Sequence, residues 1–325
     1  MRIAVLSDCV FPTPTPDGHG LGRMVHQIAE GLLYQGHDVV LFAASGSKFS
    51  GAMVMPNAAV GYEGEQILAR EALKLHREMP FDAFLDNGHL HVLSSMLPDL
   101  PVVNVYHDAF QEHRHNAVLL SQGMKALMPP PFESAKVINN SLPFGEYRFS
   151  EYPSSPPYIL FLGAISDIKQ PILAIEACAR MRVKLVMAGQ QVFGKFPMSS
   201  FGNVQYIGPV SGQRKLDLLA NARVFLQLGV AESFGLTTME AALSGTPVVG
   251  WPAGGTLDQI VYGMNGVFVP LTGGDIVQNV CDAIDRAWDM NRALVRAWTL
   301  KWTTVAQQVS AYEEILAKVM QGARW

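Results

Sequence analysis

Twice along the chain a short aliphatic run, a turn-rich loop, a helical pattern and a second apolar run follow one another. Residues 2–7 form the first run and 12–22 the loop. Met24, Ile28 and Leu32 then mark a helix over about 23–35, stopped by Gly36, ahead of Val39-Val40-Leu41-Phe42. The scheme restarts at 158–162, with a loop over 163–170, a helix over about 171–181 and the run Lys184-Leu185-Val186-Met187. Short apolar runs that alternate with helices predict right-handed βαβ units and a parallel sheet in each half. A Pro- and Ser-rich stretch at 149–157 reads as the linker. With 325 residues the chain has length for two domains, and 49% hydrophobic against 16% charged content fills two cores and excludes a disordered chain. The expected fold class is α/β: two Rossmann-like, doubly wound domains facing across a cleft, 1–150 and 151–304. Val305, Val309, Tyr312, Leu316 and Val319 share one face of a terminal helix. Ligands of such sheets bind beyond the carboxyl ends of the strands.

Charge narrows the function. The formal net charge is −4, which offers no global attraction to nucleic acid or anionic lipid. Residues 1–150 carry 10 basic and 15 acidic side chains and 151–325 carry 14 and 13, so the halves differ (−5 against +1), and all nine histidines precede residue 116. Cys9, Cys178 and Cys281 suit neither a disulfide framework nor a zinc site. The apolar run at the N-terminus is too short for a signal peptide, and no stretch approaches the roughly 18 apolar residues of a membrane helix. The expectation is a cytoplasmic protein without an integral membrane segment, with its oligomeric state open.

The richest stretch follows the run Val224-Phe225-Leu226-Gln227-Leu228. Glu232 sits on a strand-to-helix loop, Ser233, Phe234, Gly235, Leu236 and Thr237 lead into the helix, and Glu240 is expected in its first turn. Backbone N–H groups at such a helix head make an anion site suited to phosphate. Carboxylates on either side accept hydrogen bonds from sugar hydroxyls. Thr237-x-x-Glu240 also reads as a capping box, in which Glu240 would only satisfy an orphan amide. His89-x-His91 and His113-x-His115 lack a third ligand at motif spacing, and Gly18-His19-Gly20-Leu21-Gly22 lacks the register of a dinucleotide loop.

Glu232-Ser233-Phe234-Gly235-Leu236 with Glu240 eight positions on resembles the E-x7-E motif of glycosyltransferase family 4, retaining, nucleotide-sugar-dependent enzymes of the GT-B fold. The likeness continues through residues 241–249, Gly254-Gly255-Thr256-Leu257-Asp258 and 265–269. Gly163 to Lys169 resembles the family's phosphate loop, Gly20-Leu21-Gly22-Arg23 its N-terminal glycine loop, and Tyr106-His107-Asp108 a segment after an N-domain strand. The resemblance implies that Glu240 bonds the nucleotide's ribose and Glu232 the transferred sugar. It also implies that Ser233 to Thr237 offer groups to sugar and diphosphate, and that Lys169 binds the diphosphate. Gly20, Gly22 and Gly163 would let backbone approach the ligand, Val210 would border the base, and His107 would lie near the sugar. His107, Glu232 and Lys169 are thus the expected catalytic residues.

Three positions depart from the pattern: Ala164 replaces an arginine, His19 a glycine and Asp258 a glutamate. Arg23, Arg223 or the helix terminus would have to make up for the missing cation. No Asp-x-Asp occurs, so neither metal nor cofactor is expected, and a helix head with Lys169 takes the metal's role. The implied activity is transfer of a sugar from a nucleotide-diphosphate sugar to a small-molecule or lipid-linked hydroxyl acceptor, with no nucleic-acid partner. An epimerase or phosphorylase of the same fold, and a non-catalytic nucleotide-sugar binder, stay open.

Overall fold

The computed structural model describes residues 1–15, 20–56, 60–109, 111–192 and 201–325, so His19 lies outside the described residues. The chain divides into two compact units, Met1–Ser141 with Thr303–Trp325, and Leu142–Trp302.

In the first unit the strands are β1 (Arg2–Leu6), β2 (Asp38–Phe42), β3 (Ala52–Val54), β4 (Ala83–Asp86), β5 (Val102–Tyr106), β6 (Ala117–Leu119) and β7 (Lys136–Val137). They are connected through α1 (Gly20–Tyr34), α2 (Gly61–Glu78), α3 (Val92–Met96) and α4 (Gln122–Leu127). The described strands pair in the order β3-β2-β1-β4-β5-β6-β7, all parallel. A parallel sheet covered on both faces needs continuous apolar strands, and β4 and β5 are buried at every position. Helix α1 starts at Gly20, three residues before the periodic pattern suggested, because Leu21 already belongs to its buried face with Met24, Val25 and Ile28. Gly20 and Gly22 therefore lie in a first helical turn instead of a loop. A Cβ on Gly22 would stand 2.9 Å from Thr15 Oγ1 and 3.2 Å from the Pro12 carbonyl.

The second unit contains β8 (Tyr158–Leu162), α5 (Pro171–Arg180), β9 (Lys184–Ala188), β10 (Val204–Tyr206), α6 (Gly212–Asn221) and β11 (Val224–Gln227). It continues with α7 (Leu236–Leu243), β12 (Val248–Gly250), α8 (Gly254–Gln259), β13 (Gly266–Phe268), α9 (Ile276–Trp288) and α10 (Arg292–Thr299). Its described strands are again parallel, in the order β10-β9-β8-β11-β12-β13. Ala174, Ile175 and Cys178 of α5 join Val280 and Ile284 of α9 in one core, while Leu219 of α6, Ala241 and Ala242 of α7 and Val295 of α10 fill another. Both sheets reverse direction of winding beside their first strand, between β1 and β4 and between β8 and β11.

The expected boundary at residue 150 moves to Leu142, because the stretch read as a linker is tied into the second unit. Arg292 Nε donates to the Ser150 carbonyl at 2.7 Å, and Arg296 Nη1 to that of Tyr147 at 3.0 Å. The last helix, α11 (Val305–Met320), belongs to the first unit. Its Gln308 accepts from Gln27 of α1 at 2.9 Å, and its Val309 fills the space that a Cβ on Gly31 would need.

Candidate active site at the crossover of the second sheet

Neighbouring strands whose following helices wind in opposite directions leave a crevice beyond their carboxyl ends, the usual ligand site of open α/β sheets. In the second unit those strands are β8 and β11, and the loops that leave them carry Lys169 and Glu232. After β8, Gly163 at φ +156° opens a loop that closes in a 3₁₀ turn, Asp167–Lys169. After β11, residues 228–235 run to Gly235, whose φ of +90° precedes Leu236, the first residue of α7. An L side chain resists that conformation.

Backbone contacts staple the two loops. Val230 N–H donates to the Ile168 carbonyl at 3.3 Å, and Trp251 Nε1 donates to the Leu228 carbonyl at 2.8 Å while standing 3.2 Å from Gln170 Oε1. Gly255 N–H donates to the Glu232 carbonyl at 2.7 Å, and the buried Gln259 amide donates to the carbonyls of Phe234 and Gly235. Gly254 and Gly255 admit this approach, since a Cβ on either would overlap Glu232 or Phe234 backbone. Phe234 is buried, its ring centroid 6.2 Å from that of Trp302.

Into this frame Lys169 sends its ammonium to Glu232 Oε2 in an ion pair whose side chains stay 24% and 17% exposed. The lysine stem passes Gly229, where a Cβ would stand 3.0 Å from Lys169 Cδ. Glu240 lies deeper, with no exposed surface. Lys215 Nζ of α6 lies 2.8 Å from its Oε1 and 2.7 Å from its Oε2, and Tyr147 Oη donates to Oε1 at 3.2 Å. Both motif carboxylates are thus paired with a lysine. Glu240 is the fifth residue of α7, not part of its first turn, and the cap of α7 is Gly235 with no side-chain bond. The capping-box reading therefore fails: Thr237 is already helical, because the left-handed Gly235 starts the helix two residues ahead of it. Val210 packs against the core that includes Leu219 and Val295.

Ala164 is exposed. Arg223 does not substitute for the missing arginine, since it precedes β11 at the opposite, amino-terminal edge of the sheet and pairs there with Asp289 beneath the Trp288 ring. An open cavity of about 660 Å³ lies on the α5 and α9 face, lined by Ile172, Val230, Trp251, Leu271 and Ile276 among others. Its lining is mostly apolar, with Asp167, Gln170 and Glu176 as the polar members, and does not include Lys169, Glu232 or Glu240.

The remaining expected residues belong to the first unit. His107 follows β5, and its Nε2 lies 3.1 Å from Asn87 Oδ1. The Asn87 amide nitrogen donates to the Leu6 carbonyl at 3.2 Å, which turns Oδ1 toward the imidazole and makes Nε2 the protonated nitrogen. Asp108 pairs with His89 Nδ1 at 2.9 Å. His91 is fully buried, and burial pushes its pKa down to about 3. Among the described residues no group of three or more His, Cys, Asp or Glu stands together as a metal cluster, and no helix is long and apolar enough to cross a membrane.

Lys215, Tyr147, Gln259 and Trp251 are the site-building residues that motif reading missed. Lys215 and Tyr147 lie 25 and 93 positions from Glu240, and no local pattern links them to it.

Residues 146–287 match the family model described as Glycosyl transferases group 1. Among curated proteins, D-inositol 3-phosphate glycosyltransferase of Paenarthrobacter aurescens is 26% identical over 184 residues, covering 50% of this chain and 45% of that protein. GDP-mannose-dependent alpha-mannosyltransferase of Mycobacterium tuberculosis is 26% identical over 132 residues, covering 41% and 34%. The chain thus spans less than half the length of these curated relatives. Among solved structures, AviGT4, a glycosyltransferase involved in avilamycin A biosynthesis, superposes with a TM-score of 0.77 at 21% identity, covering 100% of this chain and 99% of that one. The chain has the GT-B fold, and over residues 146–287 it is similar to the glycosyl transferases group 1 family.

Proposed function

We propose that the protein is a retaining, metal-independent glycosyltransferase of the family 4 type. It would move a sugar from a nucleoside-diphosphate sugar to the hydroxyl of a small-molecule or lipid-linked acceptor. The observation that carries this reading is the meeting of Lys169 and Glu232 at the crossover of β8 and β11, beside the head of α7. In this reading the first N–H groups of α7 and the Lys169 ammonium hold the diphosphate, with backbone at Gly163 close by. Glu232 takes hydroxyls of the sugar, Glu240 those of the ribose, and Val210 borders the base. Gly20 and Gly22 bring the head of α1 to the phosphates, and His107 serves the sugar. The curated relatives' names, one specifying GDP-mannose, support a nucleotide sugar as donor.

Bond cleavage places the pair of electrons from the anomeric C–O bond on the departing diphosphate. Fixed N–H dipoles and an ammonium stabilise that charge without a metal. The acceptor oxygen attacks from the face the diphosphate leaves, its proton passes to a diphosphate oxygen, and the anomeric configuration is kept.

The test is thermal shift against UDP, GDP, ADP and dTDP, followed by turnover of the matching sugars with an acceptor panel in EDTA, with product anomers assigned by NMR. One nucleotide should raise the melting temperature by mass action. Product should form with retained configuration, and Glu232→Gln should lower turnover by about 100-fold or more, as loss of a key polar contact to a reacting group does. Inverted product, or activity lost in EDTA and restored by magnesium, overturns the mechanism. Epimerised sugar without acceptor favours the epimerase, and binding with no product from any acceptor favours the binding module.

A further inference from the structure

The open cavity on the α5 and α9 face takes no part in the donor reading, yet it has the build of a ligand pocket. Its volume of about 660 Å³ lies within the range of about 300–1,000 Å³ usual for small-molecule sites. Ile172, Val230, Leu271 and Ile276 of its lining keep 39–63% of their surface exposed. Apolar surface gathered in one concavity marks a place of contact, whereas the same residues scattered singly would not. One wall is held rigid. Gln170 has a left-handed backbone at φ +52°, which a residue with a side chain adopts at a cost, and the buried Trp251 stands with Nε1 3.2 Å from its Oε1. Strain of this kind persists where the surroundings over-determine it, commonly at ligand clamps.

The polar members of the lining set the chemistry of the occupant. Asp167 and Glu176 are carboxylates, and none of the described lining residues is a lysine, arginine or histidine. The neighbouring Lys169 turns its ammonium to Glu232 instead. An anionic group would meet like charge there, whereas an N–H or O–H would find acceptors. We propose that this cavity is a second ligand site, for an uncharged apolar molecule that carries a hydrogen-bond donor. Its apolar body is received by Ile172, Val230, Trp251 and Leu271, and its donor ends at Asp167 or Glu176. The inference goes beyond the donor reading and does not depend on it, since the lining lies within the second unit and includes none of the motif residues Lys169, Glu232 and Glu240.

The experiment is fluorescence titration of the full chain with N-phenyl-1-naphthylamine, an uncharged apolar molecule with a single N–H. Beside it runs 8-anilinonaphthalene-1-sulfonate, the same body with an anionic group added. Native protein should bind one uncharged probe per chain and the sulfonate about tenfold more weakly or worse, the scale of a like charge a few ångströms away. Leu271→Glu and Ile172→Asp each put a carboxylate on an exposed rim position. Each should weaken the uncharged probe about tenfold or more, because the ligand would strip water from that charge, with the melting temperature unchanged. Asp167→Asn combined with Glu176→Gln leaves the apolar wall alone and should bring the two probes to within about threefold of each other. Hydrogen exchange locates the site: the bound probe should slow amides in 168–173 and 228–231. No saturable binding of the uncharged probe, binding that survives both rim variants, or a sulfonate bound as tightly as the uncharged probe overturns the proposal. So does a native dimer that Leu271→Glu dissociates, in which case a second copy of the chain fills the cavity. The donor reading is tested by its nucleotides, so either reading can fall without the other.

Discussion

Carboxylates near the strand ends of the two sheets are satisfied in opposite ways. In the first unit, Glu65 of α2 accepts backbone N–H bonds from His89 at 2.9 Å and from Leu90 at 3.0–3.1 Å, and Asp86 accepts one from Gly88 at 2.9 Å. Burial raises the pKa of both, that of Asp86 to about 7. In the second unit, Glu232 and Glu240 each face a lysine. Carboxylates of the first kind order the turn after β4, which brings Asn87 to His107. Those of the second kind keep an ammonium beside them. The same doubly wound architecture therefore pairs carboxylates with backbone amides in one unit and with lysines in the other, and motif-bearing carboxylates are separated from loop-holding ones by their partners more than by their burial.

The sharpest way to break this contrast is to disturb the frame of the second site without touching a charge. Gly255 has no positive φ, yet a Cβ there would overlap the Phe234 backbone. Gly255→Ala should therefore displace the loop of Glu232 and weaken nucleoside-diphosphate binding by roughly 100-fold or more, since misplacement by about 1 Å has that scale. Gly273 at φ +93° meets nothing within 4 Å, so Gly273→Ala should cost about 1 kcal/mol of stability and leave binding alone. Titration calorimetry with melting curves separates the two.

Next in size is Lys169. Lys169→Ala should lower nucleoside-diphosphate affinity by about 1.5–3 kcal/mol, the range of a charge-assisted hydrogen bond. An unchanged isotherm would remove this ammonium from the ligand and reduce its ion pair to a structural one.

The smallest effect concerns pH and should appear only in the first unit. Asp86 titrates near 7 in the fold against 3.8 as its ordinary value, so its contribution is complete below about 4 and is lost as pH rises through 7. His91 runs the other way: with its pKa pushed down to about 3 from 6.5, its contribution is complete above 6.5 and is lost as pH falls toward 3. Asp86→Asn should therefore gain protection relative to native protein as pH rises from 4 to 7. Hydrogen exchange at β4 amides checks this, and identical pH profiles in the two proteins would show that Asp86 does not titrate in that window.

Much of this was legible beforehand. The strand at residues 158–162 and the helix over 305–320 stand where periodicity places them, because both present an unbroken apolar face to a core. Lys169 and Glu232 were legible as parts of long motifs. Where reading failed, long-range geometry had intervened. Thr237 looks like a cap until Gly235 is seen to turn the chain two residues earlier, and Arg223 looks like a spare phosphate cation until its place at the far edge of the sheet is known. The boundary at 150 looked like a linker by composition, yet Arg292 and Arg296 hold that stretch from more than a hundred residues away.

By itself the amino-acid order determined the alternation of strands and helices, the parallel sheets, the asymmetry of charge between halves and the glycines at which loops turn, all of them properties carried by near neighbours along the chain. Tertiary structure alone decided which lysine meets which carboxylate, where the tyrosine hydroxyl points and which loops share the crossover. Those partners lie tens of residues apart, and their distances follow from sheet order and helix packing, which no local spacing encodes.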